Sequence, residues 1–221
     1  MRREAKRWAV LGACLLATVA AGCSDPAAQL NSGDPAKRLE AIRALARKDS
    51  DAAADKICEA VNTCDLMTAQ TAVRSLGWMK APRAQAALKE IATREPRREL
   101  RQEAVTALGY RHDESSPEVL RQLVRTDADP QVRGAAATSL GRVGTPADIP
   151  LLVDVMMADE DVQVQGRAVG AIERFVGVQF MFDETASPQD RRKRLEIIQA
   201  EAFRMLDWMQ GAKAHERRTN P

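Results

Sequence analysis

Apolar and polar positions along this chain repeat on two rulers at once. In short windows the apolar residues fall at i, i+3, i+4 and i+7, the spacing of one face of an α-helix. Over longer distances the windows themselves recur. The stretch DPAKRLEAIRALARKD, Asp34 to Asp49, returns in register as DPQVRGAAATSLGRVG, Asp129 to Gly144. Aligned on Ala41, equivalent alanines stand at Ala72, Ala104, Ala136 and Ala168, in steps of 31, 32, 32 and 32 residues. A fixed period in this range is the mark of stacked supersecondary units.

Other columns keep the same step. Four residues after each alanine come Leu45, Leu76, Leu108, Leu140 and Ile172, which share a helix face with it. Seven residues before stand Asp34, Asp65, Arg97, Asp129 and Asp161. Followed by proline in two units, this column predicts capped helix starts. One residue after the leucine stand Ala46, Gly77, Gly109, Gly141 and Glu173, and the glycines predict left-handed helix ends. A second apolar ridge follows in each unit, as in Val119, Leu120, Leu123 and Val124. Ser116-Pro117 and Thr145-Pro146 supply starts for such second helices. Each unit therefore reads helix, short turn, helix.

The motif D-P-x-x-R-x-x-A-x-x-x-L-G, clearest at Asp129, Pro130, Arg133, Ala136, Leu140 and Gly141, resembles HEAT repeats. The 31–32 residue period is similar to the HEAT-like repeats first named for phycobilisome lyases. The resemblance covers residues 34–176 and implies an all-α fold: a right-handed α-solenoid of about five helix-turn-helix repeats, with the second helices lining the concave face. Unit two carries Ala69 where the motif has Arg, and unit five carries Gln165.

After Ala168 the ruler slips. A Phe-rich linker, residues 177–187, precedes a helical pattern over residues 188–211, expected as a capping helix, with Phe175, Phe180 and Phe182 plugging the end. Residues 212–221 are polar and expected as a disordered tail. At the other end, Arg2, Arg3, Lys6 and Arg7 precede an apolar run that stops at Gly22-Cys23. This is the layout of a signal peptide over residues 1–22, and its ending resembles the bacterial lipoprotein signal, with Cys23 as the lipidated residue. Residues 23–33 then form a tether. The expected location is the bacterial cell envelope, exported and anchored on the periplasmic side of the inner or outer membrane.

Composition adds little against this. Aromatic residues are 4% of the chain, which suits close-packed alanine-rich helices. The +2 balance becomes −1 once residues 1–22 are removed, so nothing marks a nucleic-acid binder. Cys58 and Cys64 form an even pair in a disulfide-permitting compartment, and a bridge between them is the expectation. No phosphate loop, nucleophile elbow or metal-ligand spacing appears. No cofactor, no metal and no catalytic residue is expected, and the chain is not read as an enzyme.

Surface positions remain. Lys89, Arg94, Arg121 and Arg125 on the second helices form an expected basic patch for an acidic peptide or anionic polymer. Trp78 and Tyr110 share one column, six residues after the reference alanine, where other units carry Arg47, Arg142 and Arg174. A position that accepts arginine is exposed, so the two aromatics are expected to form a contact patch. The function expected is a non-catalytic, membrane-anchored scaffold that binds a protein or peptide. The alternative is an accessory lyase-like enzyme subunit or a cofactor chaperone.

Overall fold

Capping carboxylates open most of the repeats. The Asp34 carboxylate accepts the Ala36 N–H at 2.9 Å, with Pro35 in the first helical position. Asp65, Asp129 and Asp161 accept in the same way from Thr68, Gln131 and Gln163. Each bond satisfies a backbone donor that the first helical turn leaves without a partner.

The computed structural model describes residues 25–111, 113 and 115–219, with side chains as far as residue 212. The expected signal peptide, residues 1–22, and Cys23 lie outside the described residues. After a short α1 (Pro26–Gln29), the chain alternates between two layers. The A layer holds α2 (Pro35–Lys48), α4 (Leu66–Trp78), α6 (Arg98–Leu108), α8 (Pro130–Val143) and α10 (Val162–Val176). The B layer holds α3 (Asp51–Thr63), α5 (Pro82–Arg94), α7 (Ser116–Thr126), α9 (Ile149–Ala158) and α11 (Pro188–Thr219). Each helix packs on its partner and on the next helix of its own layer. This is an all-α solenoid of helical hairpins.

The core follows the ruler. All five reference alanines are at most 1% exposed, and the leucine column at most 3%. Alanine here is what allows neighbouring helices to approach closely, so one hairpin's apolar face is buried by the next.

The glycine column corrects its sequence reading. Gly77 and Gly141 lie inside α4 and α8, and Gly109 caps α6 with an ordinary right-handed backbone, φ −69°. None of the three ends a helix in the left-handed region. Their role is contact between A helices. A Cβ on Gly77 would stand 2.9 Å from Ala107 Cβ, and one on Gly141 would stand 2.8 Å from the Cα of Ala171. The last member is Glu173, which meets no further A helix among the described residues. Its carboxylate instead accepts the Phe180 N–H at 2.6 Å.

An arginine ladder ties the repeat edges where the A helices begin. Arg101 donates to the Glu95 carbonyl of its own turn and, through two nitrogens, to Asp127 at 2.9 and 3.0 Å. Arg133 repeats the pattern with the Asp127 carbonyl and with Asp159 at 2.7 and 2.9 Å. Arg38 reaches Asp65 at 2.7 Å. Unit two lacks the motif arginine at Ala69. There Arg97, standing where other units have Asp, pairs with Glu95 at 2.6 Å and donates to the Val61 carbonyl at 2.9 Å. Two departures from the motif thus compensate each other.

The two ends also differ from the sequence expectation. Part of the expected tether is folded, since α1 packs on α2 and Leu30 is buried. At the other end, α11 packs on both α9 and α10 and so is the B helix of unit five, delayed by the linker. Leu195, Ile198, Ala202 and Leu206 are its buried stripe, and Phe180 is fully buried beneath it. The helix runs on to Thr219, through residues expected as a disordered tail.

Candidate binding surface

The expected basic patch on the B helices is not a continuous free surface. Arg121 donates to Asp148 at 2.6 Å and to Glu118 at 3.1 Å. Asp148 is 4% exposed and also accepts the Thr145 N–H at 2.8 Å, so this pair holds the turn before α9. Lys89 donates to the Ser115 hydroxyl in the next unit. Arg94 and Arg125 stay exposed but line separate grooves. The first, about 290 Å³, lies between α3 and α5 with Cys58 and Ile91. The second, about 400 Å³, lies between α7 and α9 with Asp127, Asp154 and Asp159. Carboxylates accompany both arginines.

The cysteines also depart from the expected pairing. Cys58 and Cys64 are free thiols. Six residues along a helix carry a side chain about 9 Å further and to a different face. A disulfide needs Cα atoms within about 7 Å. Cys58 accordingly faces the α3–α5 groove, while Cys64 lies against the Leu30 carbonyl. Burial pushes the Cys58 thiol above its ordinary value, against the lowering effect of Arg83.

The opposite, A-layer face brings its predicted residues together. Trp78 is 79% exposed and Tyr110 is 60% exposed. Both line a groove of about 180 Å³ between α4 and α6, with Gly77 and Ala107 in its wall. Arg74 and Glu103 close one side as a pair, at 2.8 and 3.1 Å. The groove exists because Gly77 lets α6 come close while the two aromatic rings project from successive repeats at the same register.

Sequence reasoning placed the aromatics together but not the arginines beside them. The Arg142 guanidinium lies 4.5 Å from the centroid of the Tyr110 ring, within the range of a cation–π contact. Arg174, one repeat further, runs its aliphatic stem past Gly141, with Cδ 3.4 Å from where a Cβ would be. Arg174 and Arg167 line a groove of about 390 Å³ with Thr138 and Gly170. No ion pair engages Arg142, Arg167 or Arg174 among the described residues. The signal for Arg142 and Arg174 was present in the sequence, since they continue the column of Trp78 and Tyr110. What was missing was the stacking of one member on another.

Among the described residues, no group of three or more His, Cys, Asp or Glu side chains could hold a metal ion. No described helix is long and apolar enough to cross a membrane.

Fold and surface together define a class: an α-solenoid of short helical hairpins with an exposed aromatic–arginine strip. Residues 25–109 and 91–173 match the family model of HEAT repeats, and the chain belongs to that family. No curated protein matches it in sequence. Among solved structures it is similar to a chain of the complex of CpcE and CpcF of phycocyanin lyase from Nostoc sp. PCC7120. That likeness has 21% identity and a TM-score of 0.49, over 69% of this chain and 64% of that one. It is also similar to an engineered protein, with 19% identity and a TM-score of 0.44, over 80% of this chain and 96% of the other.

Proposed function

We propose that this chain is an exported, lipid-anchored scaffold of the bacterial cell envelope. Its HEAT array binds a protein or peptide partner, without catalysis, across the A-layer face. The observation that carries the reading is the shared groove of Trp78 and Tyr110, two solvent-exposed aromatics from neighbouring repeats. Aromatic residues and arginine are the side chains most enriched in binding hot spots. The anchor rests on the sequence ending at Gly22-Cys23. With α1 folded onto α2, only Cys23 to Asp25 separate the lipid from the array, a reach of about 10 Å. The solenoid would then work against the membrane surface.

The test is a photo-crosslinking residue at position 78 in living cells, with one at the exposed Ala86 of α5, on the B layer, as comparison. A discrete adduct from position 78 and none from position 86 is expected. Absence of an adduct at 78, or equal adducts at both, would refute the reading. Cys23→Ser should move the protein out of the membrane fraction.

The alternative, a lyase-like subunit or cofactor chaperone, would draw on the groove at Cys58 or on a pocket at the Phe-rich linker, where Gly177, Val178 and Gln179 line the groove of Arg167 and Arg174. Burial raises that thiol above its ordinary value, which disfavours the nucleophilic thiolate. The scaffold reading is favoured by the exposed pair Trp78 and Tyr110, which that alternative does not use.

A further inference from the structure

We infer that the groove between α8 and α10 is a carboxylate site, in which Arg167 and Arg174 hold an acidic segment of the partner. The inference rests on the scaffold reading in taking the ligand as a partner's peptide, and it names the chemistry of that peptide. The groove repeats the one at Trp78 and Tyr110. Thr138, Arg167, Gly170 and Arg174 stand two repeats on from Arg74, Glu103, Thr106 and Tyr110. Equivalent helix faces therefore build both grooves, and what differs is their chemistry. In the first, Arg74 and Glu103 neutralise each other at 2.8 and 3.1 Å. In the second, Thr138 takes the place of that arginine and Arg167 the place of that glutamate, so the pair is gone and a cation is left over. Arg174 replaces Tyr110 and adds another.

Neither guanidinium has an ion pair or hydrogen bond among the described residues, although Arg167 is half-buried. The carboxylate on the lining is Glu173, and its Oε1 accepts the Phe180 N–H at 2.6 Å. Two cations thus face one carboxylate that is already engaged. Gly170 lies between the arginines on the same face of α10, and a Cβ there would meet nothing within 4 Å, so the floor between them is open. Packing seats both stems. Arg167 Cδ lies 2.6 Å from where a Cβ on Gly134 would be, and Arg174 Cδ lies 3.4 Å from the corresponding point on Gly141. The stems are rooted two helical turns apart, about 10 Å. Seating them lowers the ordering cost of binding. Each guanidinium offers the fork of donors that matches a carboxylate at two points. The rim residues Arg174, Gly177, Val178 and Gln179 are exposed, so the groove does not enclose a free ion. A segment with several carboxylates engages both arginines at once and gains from the second contact.

Fluorescence anisotropy on the full chain at low salt tests this with a labelled peptide of six glutamates, capped at both ends, and a matched peptide of six glutamines. The glutamate peptide is expected to bind saturably and the glutamine peptide not to bind. Arg167→Met keeps a stem to pack on Gly134 and removes the charge. It and the exposed Arg174→Met should each weaken binding about fivefold, and together abolish it. Arg94→Met, at an exposed arginine of the B layer, should leave binding within about twofold. Unchanged circular dichroism melts verify the fold of each variant. Inorganic phosphate at matched ionic strength should not displace the peptide. Equal binding of the two peptides, binding that survives the double substitution, an equal loss in Arg94→Met, or displacement by phosphate overturns the inference. If the position-78 crosslink succeeds in cells while the glutamate peptide fails, the scaffold reading stands and this partner chemistry does not. Failure of the crosslink overturns the scaffold reading, and with it the assignment of these carboxylates to a partner.

Discussion

Gly109→Ala sets two principles against each other, and the structure says which prevails. Gly109 has φ −69° and ψ −8°, a backbone that alanine adopts freely. Helix propensity alone would then favour alanine by up to about 1 kcal/mol. The added Cβ, however, would stand 2.4 Å from Ser139 Oγ, 2.5 Å from Ser139 Cβ and 2.9 Å from Ser139 Cα. Carbon atoms in good contact sit about 3.5–4.0 Å apart, so α6 and α8 would have to separate by about 1 Å. A side-chain rotation cannot relieve a clash that includes the neighbour's Cα. Overpacking of this kind costs about 1–3 kcal/mol. The net expectation is a loss of about 1–2 kcal/mol. Gly170→Ala is the matched control: Gly170 is helical, and a Cβ there meets nothing within 4 Å. It should gain about 0.5–1 kcal/mol. Urea unfolding followed by far-ultraviolet circular dichroism measures both. Ser139→Gly in the Gly109→Ala background should recover part of the loss, a coupling of at least about 0.5 kcal/mol between touching sites. If both alanine substitutions shift the midpoint in the same direction, the close-contact account of the column is wrong.

Two further expectations concern the charged edge. Arg133→Ala should destabilise by roughly 2–3 kcal/mol, because it leaves the Asp159 side chain, 8% exposed, without its two-nitrogen partner; Arg98→Ala, at a side chain 60% exposed, should cost about 0–1 kcal/mol in the same urea assay. Burial alone would raise the Asp113 carboxyl, but hydrogen bonds from the hydroxyls and N–H groups of Ser115 and Ser116 hold it down to about 2. A carboxyl depressed on folding contributes stability above the unfolded value of about 3.9, and that contribution is lost as the pH falls toward 2; urea midpoints should therefore fall less steeply over this window in Asp113→Asn than in the parent.

The buried half of this protein was legible because burial is what the repeat enforces. Ala72, Ala104 and Ala136 could be read from spacing alone, since every unit meets the same neighbour in the same way. The column of Gly77, Gly109 and Gly141 was visible but ambiguous. A glycine near a helix end serves a left-handed turn or a close approach equally well, and periodicity does not choose between them. The pairing of Arg121 was not legible. Its partner Asp148 has Ser116 and Ala84 at the equivalent places, so no column records it. The same holds for Glu173 and the Phe180 N–H, which meet where the linker breaks the register. An even count of cysteines suggests a bridge, but helix geometry turns Cys58 and Cys64 to different faces. The linker hides the register of helix α11, so its apolar spacing shows a buried stripe but not that it is the B helix of unit five. On the surface, the exposure of Trp78 and Tyr110 could be inferred from arginine in the same column, while two of the four basic-patch residues, Lys89 and Arg121, find partners that sequence distance conceals.

That contrast explains how such an array separates stability from surface chemistry. At the edge where the A helices begin, nearly every polar side chain is committed. Arg38, Arg101 and Arg133 each bond their own turn and the next, and the one missing arginine, at Ala69, is answered by Arg97. Substitution there propagates into the stack. At the edge where the A helices end, the column of Arg47, Trp78, Tyr110, Arg142 and Arg174 carries no ion pair among the described residues. Its recorded tie is the contact of Arg142 with Tyr110, a kind of interaction worth about 0.5–1 kcal/mol when exposed. Residues in this column can therefore change from cation to aromatic at little cost to folding. Because the step between them is set by buried alanine and glycine elsewhere, any such change keeps the spacing of the column.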